Sequence, residues 1–477
     1  MLSQSRSRFL LLTFFTLAAL STCVAQPSWK QTAANLINSG ELARAELILS
    51  RIGGDERRRH IVEIDSLTDI AQRIRKEFSI SDSIGRLQIK GLIPSASDSL
   101  IDCWINTKKI ETMTIDGKCW WFNRSIRNFK LLCNEIFGQT NDSTRSSECQ
   151  RLQSYANNAI QSSPDDNLAR NWHRVSITFS IDVDSSAAPD GEILRVWMPF
   201  PIQSNRQRNV TLTSTSHKPI LSQNSIHSTI YMEAKAERGK TTHFEATYNY
   251  EVAAQIFNRD SIISHLEPYD TTSETYQKFT ATVDPNIVTS DQIRSIADSL
   301  TIGIDNPVLK AGAIYDWITA NLPWASARDY STIQCIPLYV LQEHHGDCGQ
   351  VALLYISLLR SIGIPARWES GWMLHPGAKN LHDWCEVYFE GTGWIPCDVS
   401  MGRTTRGSDI ADYYKTSTDI YRLAANTGIG GQFDPPKHWI RSDAVDSQCG
   451  EVEWLGGNIP SNLWHYSLSI NSFEPCY

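Results

Sequence analysis

The residues with the most chemical promise lie in the stretch Gly346-Asp347-Cys348-Gly349-Gln350. Asp347 followed three residues later by Gln350 is a capping-box pattern. Behind it Val351, Leu354, Tyr355, Leu358 and Ile362 recur on the i, i+3, i+4, i+7 spacing of a half-buried helix. Gly363 and Pro365 stop that helix. Cys348 therefore falls on the first turn, where the positive end of the helix dipole favours a thiolate, and a thiolate there can attack a carbonyl carbon. The same position suits a small residue on the floor of a core, so this stretch alone leaves both readings open.

Downstream segments bear on the choice. His382-Asp383-Trp384-Cys385-Glu386-Val387-Tyr388-Phe389 and Trp394-Ile395-Pro396-Cys397-Asp398 have strand composition, and Gly391-Thr392-Gly393 between them predicts a hairpin. With residues 384 and 398 opposed, alternation puts His382, Trp384 and Asp398 on one face and Cys385 opposite Cys397 on the other. His382 and Asp398 become diagonal neighbours within hydrogen-bonding reach. A nucleophile at a helix N-terminus, a base, and a carboxylate that orients the base make a Cys-His-Asp triad.

Gly346-Asp347-Cys348-Gly349, Gly363-Ile364-Pro365-Ala366-Arg367, His382-Asp383-Trp384-Cys385-Glu386 and Gly393-Trp394-Ile395-Pro396-Cys397-Asp398 resemble, in order, the successive motifs of the transglutaminase-like superfamily, over roughly residues 305–402. The resemblance implies an α+β, papain-like core that needs no metal or cofactor. By matched position Cys348 would be the nucleophile, His382 the general base and Asp398 its orienter. The family runs both hydrolysis and amine transfer through one acyl-enzyme, so the resemblance leaves protein or peptide substrates, cell-wall peptides among them, as the expected class. Upstream, Trp324 is an oxyanion candidate, since transglutaminases use a tryptophan before the nucleophile. Gln342 is the other, at the separation from Cys348 at which papain-type enzymes place their oxyanion-hole glutamine.

The elements that must position these residues are spread over a chain of 477 residues, long enough for about three domains. A formal charge of −8 argues against a nucleic-acid surface. Residues 1–25 read as an export signal: Arg6 and Arg8 precede the apolar run from Phe9 to Leu20, and Cys23-Val24-Ala25 is small enough for cleavage before Gln26. Leu20-Ser21-Thr22-Cys23 also offers a lipid-anchoring alternative through Cys23. The apolar run is short for a span, and no later stretch reaches membrane length, so a periplasmic or extracellular protein with no stable membrane span is expected.

An exported chain permits disulfides, with Cys103, Cys119, Cys133 and Cys149 as candidates for two and Cys385–Cys397 for a third. His344, His345, Cys335 and Cys348 do not have a recurrent zinc spacing, and the two histidines read as a solvated loop, near enough to Cys348 to help its ionisation. Residues 26–165 read as helical, with a helix pair joined at Ser39-Gly40 and an aromatic cluster at Trp120-Trp121-Phe122 that suits anchoring to a neighbour. Period-two alternation then predicts a β-sandwich-like domain over 170–265. The catalytic domain is expected at 285–425, and 426–477 reads as a C-terminal extension of strands or wrapping loop. A binding protein that keeps this architecture without chemistry is the competing expectation.

Overall fold

The structure, a computed structural model, describes residues 28–161, 169–223 and 226–476, with the side chains of 139–142 left aside. The expected export segment and Cys23 lie outside the described residues.

The chain opens with the expected helix pair, Trp29–Asn38 and Leu42–Arg51. Gly40 turns between them at φ +78, and a Cβ there would sit 2.1 Å from the Thr114 carbonyl oxygen, so only glycine fits. A small sheet interrupts the region read as wholly helical: Thr112–Ile115 and Lys118–Trp121 form a hairpin, and Ile80–Ser81 adds to its second strand. Asp116 and Gly117 both take positive φ, as a two-residue hairpin turn requires. These strands are too short to show a period. Trp121 and Phe122 do not anchor the region to a neighbour; both are fully buried in its own cores.

Two five-stranded sheets follow, sharing one core. In the first, Ala169–Val183 lies between Thr242–Ile256 and Trp464–Pro475. In the second, Ile193–Pro199 lies between Thr229–Lys235 and Glu451–Trp454. Val175, Ile177, Phe179 and Ile181 of the first face Val196, Met198, Ile230 and Met232 of the second. The β unit is therefore not contiguous over 170–265, because both sheets take strands from the segment read as a separate extension. Trp464–Pro475 is exposed along most of its length, with Leu468 its one buried side chain, so its composition carries no apolar alternation.

The remaining sheet is antiparallel, in the order Gly393–Cys397, Asn380–Phe389, Ala366–Met373, Arg422–Asn426. Against it lies the helix Cys348–Ser361, covered on its other sides by Asp291–Leu300, Pro307–Asn321 and Ile336–Glu343. That helix is buried all round from Gly349 to Ser361, where the stripe predicted one buried face. Two of its polar side chains find partners inside. Ser357 Oγ accepts from the Val288 N–H at 3.1 Å, and the Arg360 guanidinium donates to the carbonyls of Ala366 at 2.8 Å and Ala281 at 2.6 Å. Among the described residues no helix is long and apolar enough to cross a membrane.

Candidate active site

The site is built on the start of the Cys348 helix. Asp347 caps it as the sequence predicts: its Oδ1 accepts from the Gln350 N–H at 3.0 Å, and Gln350 Oε1 accepts from the Asp347 N–H at 3.1 Å. The Tyr330 hydroxyl donates to the same Asp347 oxygen at 2.6 Å. Arg403, buried behind the turn, donates to the carbonyls of Gly346 at 2.7 Å, Leu322 at 3.2 Å and Asp347 at 3.3 Å. Its planar fork fixes the loop that delivers Cys348.

The hairpin has the predicted register. Cys385 opposes Cys397, and His382 and Asp398 meet on the other face, His382 Nε2 lying 2.7 Å from Asp398 Oδ2. Asp398 also caps the helix Val399–Thr405 through the Met401 N–H at 2.9 Å and pairs with the Arg422 guanidinium at 2.9 Å. Burial opposes ionisation of this carboxyl, but His382 and Arg422 outweigh it and bring the pKa down to about 2. Burial pushes the His382 imidazole the other way, below its ordinary value, against the pull of Asp398. Behind Arg422 the network continues through Asp419, which accepts from the Tyr414 hydroxyl at 2.9 Å and faces His375 Nε2 at 3.0 Å. Cys385 and Cys397 are free thiols, Cys385 Sγ donating to the Cys397 carbonyl at 3.4 Å. The other described cysteines are free as well, Cys103, Cys119, Cys133 and Cys149 included, so none of the expected bridges is present.

Cys348 and His382 line one groove of about 1290 Å³, but the thiol's hydrogen bond goes elsewhere: Sγ donates to Asp383 Oδ2 at 3.2 Å. Burial raises the thiol pKa well above its ordinary value, and the carboxyls of Asp383 and Asp347 add to that. The helix dipole was expected to lower it; beside two acidic side chains that contribution loses. Asp383 is itself pushed well above the carboxylate range by burial, Asp446 and Asp347. Gln448, from the C-terminal segment, donates its amide to Asp383 Oδ1 at 2.6 Å and to the His382 carbonyl at 2.9 Å.

Of the oxyanion candidates, Trp324 is at the groove. It is 37% exposed, bridged in parallel to Gly346, with the Arg127 guanidinium 5.4 Å over its ring. Gln342 is not: it is exposed on Ile336–Glu343, off the groove, because His344 ends that helix in the left-handed conformation at φ +57 and turns the chain inward only afterwards. The two histidines of this turn also part company. His344 is exposed, whereas His345 is buried, and burial followed by His344 pushes its pKa down to about 4. It is neutral at neutral pH and lends Cys348 no charge. Among the described residues no group of three or more His, Cys, Asp or Glu side chains is placed to hold a metal ion.

Sequence reasoning missed Asp383, Gln448, Arg403 and Arg422. Asp383 had a signal: alternation sends it to the face opposite His382, the same face as Cys385, which packs against the Cys348 helix. The other three come from segments with no period to read.

A buried helix with a cysteine on its first turn is thus laid on an antiparallel sheet that carries a His-Asp pair. Residues 294–399 match the transglutaminase-like superfamily core, and the domain is transglutaminase-like. The chain is similar to the uncharacterized protein YebA of Bacillus subtilis, 29% identical over 133 residues, which is 24% of this chain and 18% of that protein. The match thus spans under a fifth of YebA. Among solved structures, a candidate cysteine protease of Cytophaga hutchinsonii is 18% identical with a TM-score of 0.44, covering 65% of this chain and 95% of that one. The periplasmic domain of TgpA from Pseudomonas aeruginosa is 13% identical with a TM-score of 0.27, covering 48% and 96%.

Proposed function

We propose that this protein is an exported thiol hydrolase of carboxamide or peptide bonds, working through Cys348, His382 and Asp398. The observation that carries the reading is the His382–Asp398 pair at 2.7 Å, on the groove that also exposes Cys348. Nε2 engages Asp398, so Nδ1 is the ring nitrogen left to take the thiol proton. Sγ attacks the carbonyl carbon, and the tetrahedral oxyanion finds donors in the Cys348 N–H at the first helical position and at Trp324. His382 then protonates the leaving amine, a thioester remains, and water activated by His382 releases the acid. Asp398, ionised at neutral pH, holds the imidazole in orientation throughout.

Hydrolysis is preferred to amine transfer because the groove opens to solvent at Trp324. Trp324, on its lining, is 37% exposed, so water can reach a thioester formed there. A thiol-reactive probe on the full chain should label Cys348, with labelling lost in Cys348→Ala and sharply reduced in His382→Ala. Wild type and Cys348→Ala assayed against casein, a glutamine-donor amine assay and purified peptidoglycan separate protein hydrolysis, transfer and cell-wall peptide cleavage. Equal labelling in His382→Ala, or no difference between wild type and Cys348→Ala on every substrate, counts against the reading and favours a binding protein.

A further inference from the structure

The Cys348 thiol lies against a carboxyl group that the triad does not use. Asp383 Oδ2 is 3.2 Å from Cys348 Sγ, and Asp383 is 7% exposed. The groups facing it come from four places. Cys348 and Asp347 lie on the helix start, Tyr330 on the preceding turn, Asp443, Asp446 and Cys449 on the C-terminal segment, and His382 beside it on the strand. Two cations lie nearby: Arg403, which donates to the carbonyls before Cys348 and also acts on the thiol through space, and Arg441, which is held by Glu451 and the Asp446 carbonyl. Acidic groups thus surround the nucleophile, and a thiolate here would sit against an ionised Asp383 with two negative charges in contact. Such a pair titrates as a unit and does not hold both charges at once.

We propose that Asp383 is a further catalytic residue: Cys348 becomes a thiolate only while Asp383 keeps its proton, and ionisation of Asp383 closes the site toward alkaline pH. This rests on the thiol reading above. With Asp383 protonated, the Cys348 proton passes to His382 Nδ1, and the thiolate accepts a hydrogen bond from the Asp383 carboxyl. The site then holds one negative and one positive charge. The thiolate goes on to form the carbon–sulfur bond, and the carboxyl keeps its proton through acylation. When Asp383 ionises, the site holds one proton fewer. The thiol then stays neutral and donates to Oδ2 across the 3.2 Å contact. Gln448, donating to Asp383 Oδ1 at 2.6 Å, favours the ionised carboxylate and so sets where the closure falls.

The test is the rate of Cys348 alkylation by iodoacetamide in the full chain, from about pH 4 to about pH 9, a range that brackets both limbs of an acid–base profile. Wild type should pass through a maximum and decline as Asp383 ionises. Asp383→Asn, which still donates but cannot ionise, should lose the decline, so the ratio of variant to wild-type rate climbs about tenfold or more across the range. Gln448→Leu removes the donor to the carboxylate and should move the decline to higher pH. It also decides the matter should Asp383→Asn fail to fold. Parallel profiles for wild type and Asp383→Asn, loss of labelling at every pH in an Asp383→Asn protein with native near-ultraviolet circular dichroism, or an unmoved decline in Gln448→Leu would each overturn the proposal. Failure of the thiol reading looks different: Cys348 is then unlabelled in wild type, or labelled equally without His382.

Discussion

Replacing Asp398 by asparagine tests whether the His382–Asp398–Arg422 network is ionic in the folded protein. Asp398 is held at about 2 against an ordinary value of 3.8. Nearly two units, at about 1.4 kcal/mol each, give about 2.5 kcal/mol of stability that depends on its charge. The side chain is 4% exposed, so solvent screening takes little from that figure. Because the folded-state value is depressed, the contribution is complete above the unfolded value of 3.8 and is lost as pH falls toward 2. It should be whole at about pH 7 and about half gone at about pH 3. Asp398→Asn keeps the shape and loses the titration. Urea unfolding of both proteins, followed by tryptophan fluorescence at a series of pH values, should show a stability gap at neutral pH that exceeds the gap at about pH 3 by about 1 kcal/mol. A pH-independent cost from Arg422 and His382 left facing an amide will lie beneath this slope. A gap that is flat with pH would refute the ionic account.

Three other substitutions probe the frame around Cys348. Gly349→Ala puts a Cβ 2.4 Å from the Tyr330 hydroxyl and 2.6 Å from Asp383 Oδ2. Overpacking of about 1–3 kcal/mol should outweigh the better helix propensity, lowering the melting temperature and slowing Cys348 labelling. Asn128→Leu breaks a buried reciprocal pair, Asn128 Nδ2 to the Ser326 carbonyl at 2.9 Å and the Ser326 N–H to Asn128 Oδ1 at 2.8 Å. Two backbone groups left unpaired at about 1–3 kcal/mol each should loosen the helical region, read as earlier cleavage in limited proteolysis. Arg403→Lys keeps the charge but cannot fork to three carbonyls, so labelling of Cys348 should drop at constant pH while secondary structure by circular dichroism is retained.

What could be read from the sequence was local or strictly periodic. Asp347 and Gln350 sit three residues apart, and their capping box needs no tertiary context. The 384–398 register followed from a short turn and a period of two, because a slip of one residue would have put Asp398 on the wrong face. The thiol's surroundings were not legible in the same way. Asp446 and Gln448 reach the groove from a segment whose place is set by strands pairing with residues far earlier in the chain. The burial of the Cys348 helix was hidden too, since Ser357 and Arg360 read as a wet face until partners in other elements are known. Gln342 misled because spacing says nothing of the left-handed turn at His344.

The pairing of Trp464–Pro475 with Ala169–Val183 has a consequence for the order in which the molecule can come into being. Cys348, His382 and Asp398 leave the ribosome well before the strand that closes the first sheet. The segment carrying Asp446 and Gln448 is tethered on its far side by Glu451–Trp454, which pairs with Ile193–Pro199 in the second sheet. Contacts spanning most of the chain form late. A nascent chain therefore carries Cys348, His382 and Asp398 for some time without the wall that surrounds the thiol. The acidic surroundings of Cys348 are completed by residues made after the thiol and the His382–Asp398 hairpin, so the thiol's electrostatic environment is set only once those later residues have folded onto the two sheets.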